Sequence, residues 1–349
     1  MLPWPSASVA ILGSGAAFPT CIAPWGERLE GIETGRLLEF LTPDLTEERR
    51  APIAAHLHDM IGVRSRSWAR FPGTRGEDGE EDSVSLAVGA AKAALAAAGI
   101  SPSDVGAIVL GTSTPPKWTS AASAAVAGAL EIRCPFFDVR SGCAGGLYSI
   151  ALASILAASG KRPVLAIGTD TFSKILPPEE RFAALSVGDG AGALLLSPAE
   201  GGCGLIAAGF DGDGAFHHLA TVNGEMPPIT LERSAWTISG DPAAFSAVTE
   251  RALVDAMKHA DVASPLDGHA VHLVHAGRRE ACQRVSESAA KRASLWSQTL
   301  EQHGSLGAAS VAIAIHELLE AKALPSGETL AIVSAGGGPS WGYALWRQP

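Results

Sequence analysis

Positive charge is scarce in this chain of 349 residues, where 26 lysines and arginines stand against 36 aspartates and glutamates for a net charge of −10. Binding a phosphate backbone needs clustered cations, and the chain offers only the short run Arg64, Arg66, Arg70. A nucleic-acid surface is excluded, and the run reads as a solvated loop. Cysteine is sparse as well. Cys21, Cys134, Cys143, Cys203 and Cys282 are odd in number, far apart and free of any CxxC pair, which supports neither a disulfide framework nor a zinc or other metal site and points to a reducing cytosol. No apolar stretch reaches the ~18 uninterrupted residues of a membrane span, and the start "MLPWPSASVAILGSG" has no basic region ahead of its short apolar run. The expectation is a cytoplasmic protein without export or membrane anchoring.

What is plentiful is apolar and small. Hydrophobic residues make up 47%, charged ones only 18%, and there are 39 glycines, a composition suited to helices packed tightly on a sheet. Short β-rich runs "SVAILGSG", "GAIVLGTS" (106–113), "PFFDV" (135–139), "PVLAIGTD" (163–170) and "GAGALLLS" (190–197) alternate with alanine-rich helical patterns over 83–99, 119–130 and 144–159. That alternation predicts an α/β fold around a buried sheet. The acid-rich stretch 71–82 reads as an exposed loop.

An internal repeat organises the rest. Residues 93–113 resemble 255–277 as helix, Ser-Pro-x-Asp turn and apolar strand; "SGCAGGLYSIALA" resembles "HGSLGAASVAIAI", with Gly142–Cys143 opposite Gly304–Ser305; "GDGAGALLL" resembles "GGPSWGYALW". The order is the same in both copies. Two similar halves, 1–200 and 201–349, related by a pseudo-twofold axis, are therefore expected, and equivalent turns of the two halves can then meet.

Chemistry gathers at those turns. Cys143 falls at the start of a buried helix, where orphan N–H groups and the dipole favour an anion and predict a lowered thiol pKa; a lone cysteine there also reads as a small core hydrophobe. His275 closes the apolar strand "AVHLVHAG" at the end where open sheets carry ligands. An imidazole beside the thiol would shuttle its proton. His272, two residues earlier, reads as a core histidine.

In "DVRSGCAGGLYSIALA", "SVGDGAGALLL", "LVHAGRREACQRV", "HGSLGAASV" and "AGGGPSWGYAL", the chain resembles the thiolase-fold condensing enzymes, most closely the β-ketoacyl-acyl-carrier-protein synthase III (ketosynthase III) family. The resemblance implies two βαβαβαββ halves in five layers, αβαβα, and a homodimer. It implies no permanently bound cofactor and an acyl-carrier-protein or coenzyme A thioester as substrate and partner. It makes Cys143 the acyl-carrying nucleophile and His275 the active-site histidine, with the N–H groups of Cys143 and Gly337 as oxyanion hole. Trp118 matches a position that lines the partner's acyl pocket, and Lys174 is a candidate for a phosphate at the tunnel mouth.

Two departures limit the carry-over. The family's Gly-Asn-Thr/Ser reads Gly304–Ser305–Leu306 here, so serine stands where an asparagine would hold the malonyl enolate; losing one such donor typically costs about 10²–10³ in rate. Leu306 and Pro339 also depart from the pattern and are expected to narrow the pocket. The adenine-stacking tryptophan position falls at His56 and its companion arginine at Met60, which favours a carrier-protein donor as much as coenzyme A. The expectation is an acyltransferase that loads Cys143 and passes the acyl group to an oxygen, nitrogen or acidic carbon nucleophile in specialised or polyketide biosynthesis. The alternatives are an ordinary decarboxylative synthase III and a non-catalytic partner subunit of a ketosynthase heterodimer.

Overall fold

Helix α1 (Ser83–Ala98) shows how small residues build this molecule. Asp82 caps it by accepting from the Val84 and Ser85 N–H groups, Ser85 Oγ accepts from the Asp82 N–H in return, and left-handed Gly99 ends it. Its alanines let it lie close on strand β1 (Ala7–Ala17). The computed structural model describes residues 1–349 except 72–73, 75–78, 177–180, 223–236, 264–270, 276 and 289–297.

The first sheet adds β2 (Ala107–Gly111), β3 (Phe136–Val139), β4 (Val164–Thr171) and β5 (Asp189–Pro198) in the order β1-β5-β4-β2-β3. The chain then enters a second sheet of β6 (Gly204–Gly212), β7 (Val271–His275), β8 (Thr329–Gly336) and β9 (Ser340–Arg347), ordered β6-β9-β8-β7. In both sheets the first strand pairs antiparallel with the last, the last antiparallel with the one before it, and that one parallel with the second. The repeat seen in sequence is thus a repeat of topology. The second Ser-Pro-x-Asp turn, at 264–267, and the side chain of His272 lie outside the described residues. The two sheets join where β6 meets β1 at Gly204↔Ser8 and Leu205↔Ala7.

Layering follows from which faces are apolar. Helices α3 (Gly145–Gly160) and α6 (Ala309–Glu320) lie between the sheets, in a core that takes Leu147, Ile150, Val311 and Ile315 from the helices and Val109, Leu194 and Ile332 from the strands. Helices α1 and α2 (Ala122–Ala129) cover the outer face of the first sheet, and α4 (Pro242–Ala263) with α5 (Arg279–Ser288) that of the second. The result is the five-layered αβαβα arrangement of a thiolase-like fold. Helix Gly142–Gly160 is long and apolar enough to cross a membrane, with a mean hydropathy of 1.5. Its place between two sheets accounts for that composition.

A cap of short hairpins and the helices Thr34–Leu41 and Glu47–Ile61 sits beside the first sheet, and here the reading of charge is overturned. Arg66 is fully buried and donates to the carbonyls of Ile32 (3.1 Å) and Leu185 (3.3 Å) and to Thr34 Oγ1 (2.7 Å). Burial pushes its pKa down to about 9. Arg64 pairs with Glu301 at 3.1 Å, and Arg70 binds Glu80 through two nitrogens. Arg64, 65% exposed, keeps the expected solvated character; Arg66 and Arg70 do not. The described end of the 71–82 loop is half-buried, with Glu81 accepting from the Thr20 N–H at 2.8 Å.

The close contact of the two central helices rests on missing side chains. A Cβ on Gly146 would lie 2.0 Å from the Ala308 carbonyl oxygen, whereas one on Gly128, exposed in α2, would meet nothing within 4 Å. Gly146→Ala should therefore lower stability by at least about 1–3 kcal/mol through overpacking. Gly128→Ala should raise it by up to about 1 kcal/mol through helix propensity. Thermal or urea unfolding of the two variants checks this contrast.

Candidate active site

The turn Ser141-Gly142-Cys143-Ala144 brings the thiol to the head of α3. Gly142 has φ +55°, and a Cβ there would lie 2.3 Å from the backbone nitrogen of Gly337. Glycine is needed on both counts. From the other side, a Cβ on Gly336 would lie 2.3 Å from the Cys143 nitrogen. Ser340 Oγ donates to the Ser141 carbonyl at 2.8 Å and ties the two turns together. The hairpin of the second half thus rests on the thiol turn of the first, with the backbones of Cys143 and Gly337 side by side.

His275 ends β7 and lies opposite Ser334 in the parallel pair with β8, two residues before Gly336. Its Nδ1 is 3.4 Å from Ser334 Oγ and its Nε2 3.5 Å from Ser305 Oγ. Such contacts are long for hydrogen bonds, as they often are before substrate binds. Ser305 is fixed by its backbone: its N–H donates to Ser186 O at 2.9 Å, and its C=O accepts from the Gly188 N–H at 3.0 Å. The neighbouring Leu306 is fully buried in a cluster with Ala309 and Ile313.

The electrostatics correct one expectation. Burial pushes the Cys143 thiol up to about 12, with the nearby Asp170 carboxylate adding to the rise, and the residue's own N–H recovers only part of it. Desolvation outweighs the start of the helix. His275 moves the opposite way, down to about 4, through burial alone. At neutral pH the resting site therefore holds a thiol and an uncharged imidazole, not an ion pair.

Three groups, Asp170, His303 and the Ser334 beside His275, escaped the sequence reading. Asp170, at the end of β4, accepts from Thr112 Oγ1 (3.2 Å), the Ser113 N–H (2.7 Å), Thr114 Oγ1 (2.9 Å) and, across to the second half, the Ala308 N–H (2.8 Å). Burial holds its carboxyl up at about 6. His303 stacks on Phe18 with ring centres 3.7 Å apart and has its Nδ1 2.9 Å from Ser67 Oγ, which steadies the approach to Ser305. Asp170 sits in "GTDT" and Ser334 in "IVSAG", and neither stretch carries a local signal of its partner.

The remaining candidates lie elsewhere. Trp118 is 53% exposed. Lys174 is half-buried and paired with Glu80 at 3.3 Å, a carboxylate it shares with Arg70, so a phosphate would have to compete for it. His56 is exposed, and Met60 packs into the cap's core. Among the described residues no group of three or more His, Cys, Asp or Glu side chains is placed to hold a metal ion.

Known proteins resemble this chain in sequence and in fold. Residues 137–214 match the family model described as 3-oxoacyl-[acyl-carrier-protein (ACP)] synthase III, and residues 267–348 match its C-terminal counterpart. The β-ketoacyl-[acyl-carrier-protein] synthase III of Rhizorhabdus wittichii is 34% identical over 97% of this chain and 98% of its own. In fold the chain is similar to the 3-oxoacyl-(acyl-carrier protein) synthase of Burkholderia xenovorans, with a TM-score of 0.82, 20% identity and coverage of 99% of this chain and 95% of that one. It is also similar to a priming β-ketosynthase of a polyketide biosynthetic pathway, with a TM-score of 0.81, 22% identity and coverage of 99% and 97%.

A thiol held near 12 should react slowly with iodoacetamide at neutral pH. Labelling of Cys143, followed by peptide mass mapping, is expected to rise about tenfold per pH unit from about pH 7 to about pH 10, because the thiolate is the nucleophile. A plateau reached below pH 8 would show a lowered pKa instead.

Proposed function

For a chain that belongs to the 3-oxoacyl-[acyl-carrier-protein] synthase III family, we propose an acyl transfer that does not depend on decarboxylation. Cys143 Sγ attacks the carbonyl carbon of an acyl-carrier-protein or coenzyme A thioester, and its proton passes to Nε2 of His275. The carrier thiol leaves with that proton, and the N–H groups of Cys143 and Gly337 hold the oxyanion. In the second half-reaction an acceptor O–H, N–H or acidic C–H loses its proton to His275 and attacks the Cys143 thioester. The sulfur leaves and is reprotonated.

The observation that carries this reading is the serine on Nε2 of His275. A neutral imidazole there can act as a base, while the short Ser305 side chain is a poor substitute for the carboxamide that would steady a malonyl enolate. Polyketide or related specialised biosynthesis in the cytoplasm suits such chemistry. The second reading, ordinary decarboxylative condensation, draws on the name of the Rhizorhabdus wittichii relative. A silent partner subunit would have little use for both Cys143 and His275.

The working unit is proposed to be a homodimer joined at the free side of β3. That strand ends the sheet order and leaves Phe136 and Phe137 44% and 37% exposed; a second copy of the chain would cover them and bring the partner's Trp118 toward the site.

Intact-protein mass spectrometry with a panel of acyl thioesters should show one acyl adduct, lost in Cys143→Ala. The acylated enzyme should release little labelled carbon dioxide from malonyl thioesters, and Ser305→Asn should raise that release. Vigorous release by the unmutated protein, coupled to β-ketoacyl product, would favour the second reading. Sedimentation should give about twice the 35.7 kDa chain mass.

A further inference from the structure

Both ring nitrogens of His275 face serine hydroxyls, Ser334 Oγ at Nδ1 and Ser305 Oγ at Nε2. Ser334 is fully buried on β8, two residues before its end and directly across the parallel pair from His275. Among the described residues it is the contact that the neighbouring strand makes with the ring, and burial alone lowers the basicity of the imidazole. We infer that Ser334 is a positioning residue whose hydroxyl oxygen accepts the Nδ1–H of His275, so that the Nε2 lone pair is turned toward Ser305 and the acyl acceptor.

In the inferred arrangement Ser305 O–H donates to Nε2 and Nδ1–H donates to Ser334 Oγ; the opposite tautomer would reverse both bonds, and the two are distinguished by which nitrogen carries the proton. The inferred one leaves Nε2 as an acceptor, which is what proton removal requires. When the acceptor arrives, its X–H bond breaks and the proton goes to Nε2, while X bonds to the thioester carbon. The C–S electron pair returns to Cys143, which takes back the proton from Nε2. During that step the ring is cationic, and the Nδ1–H···Oγ contact becomes charge-assisted and stronger. A hydroxyl acts mainly on the cation while it exists; a carboxylate in its place would also raise the pKa of the resting ring.

This inference rests on the reading of His275 as a base, so its test includes a measurement that needs no turnover. In full-length protein labelled with nitrogen-15 histidine and held at neutral pH, with His275→Gln used for assignment, His275 should show a protonated Nδ1 and a bare Nε2. Ser334→Ala should lose that pattern, and Ser334→Thr should keep it. In enzyme already acylated on Cys143, Ser334→Ala should slow transfer about tenfold or more and Ser334→Thr should recover most of it, a part of the 10²–10⁴ that a positioned base supplies. The melting temperature should change little. A protonated Nε2 in the unmutated protein, or an Nδ1 signature unaltered by Ser334→Ala, would overturn the inference. The expected tautomer with no transfer to any acceptor would uphold it and sink the functional reading instead.

Discussion

The buried carboxylate of Asp170 is the constraint on which the site depends. Its four hydrogen bonds gather the end of β2, through Thr112, Ser113 and Thr114, and the start of α6, through Ala308, onto one strand end. The Ala308 bond crosses from one half of the repeat to the other, three residues beyond Ser305. A buried ion without such partners would cost several kcal/mol; with them the charge is tolerated, and its pKa near 6 shows that burial still dominates. The same charge opposes ionisation of Cys143. Asp170 therefore places the second half's serine loop and adds to the burial that keeps the first half's nucleophile protonated.

That electrostatic setting shapes the chemistry. Burial moves the thiol up and the imidazole down, so the resting state stores no separated charge. Attack on a thioester must then couple proton transfer to carbon–sulfur bond formation, with the developing negative charge carried by backbone N–H groups that are already in position. Fixed donors of this kind need no side chain that can be mutated away. The oxyanion is thus held without any side chain, while both half-reactions depend on how His275 is held, because each delivers a proton to Nε2.

Much of the fold was legible in sequence because its causes are local. Alanine-rich periodicity places α1 and α3, apolar runs place β2, β4 and β5, and Cys143 and His275 announce themselves by standing at the ends of such runs. What sequence could not reveal arises from contacts between distant residues. Asp170 meets Ala308 138 positions away, and Arg66 meets Leu185 119 positions away. Arg66 looked like one of three solvated cations because nothing local says that the carbonyls of Ile32 and Leu185 will close around it. The thiol pKa was misread for a similar reason: the helix start is visible in the sequence, but the depth of burial and the Asp170 charge are not.

The most direct test of the account separates the two half-reactions by rapid mixing, comparing the unmutated protein with His275→Ala. One experiment follows acylation of Cys143 by a thioester donor, the other the loss of a preformed acyl group to acceptor. Both steps should fall by about 10²–10⁴, the range of a general base, acylation because the thiol proton has lost its base and transfer because the acceptor proton has. A loss in acylation alone, with transfer unchanged, would show that His275 serves only to take the thiol proton, and would contradict an acyl transfer driven by proton removal from the acceptor.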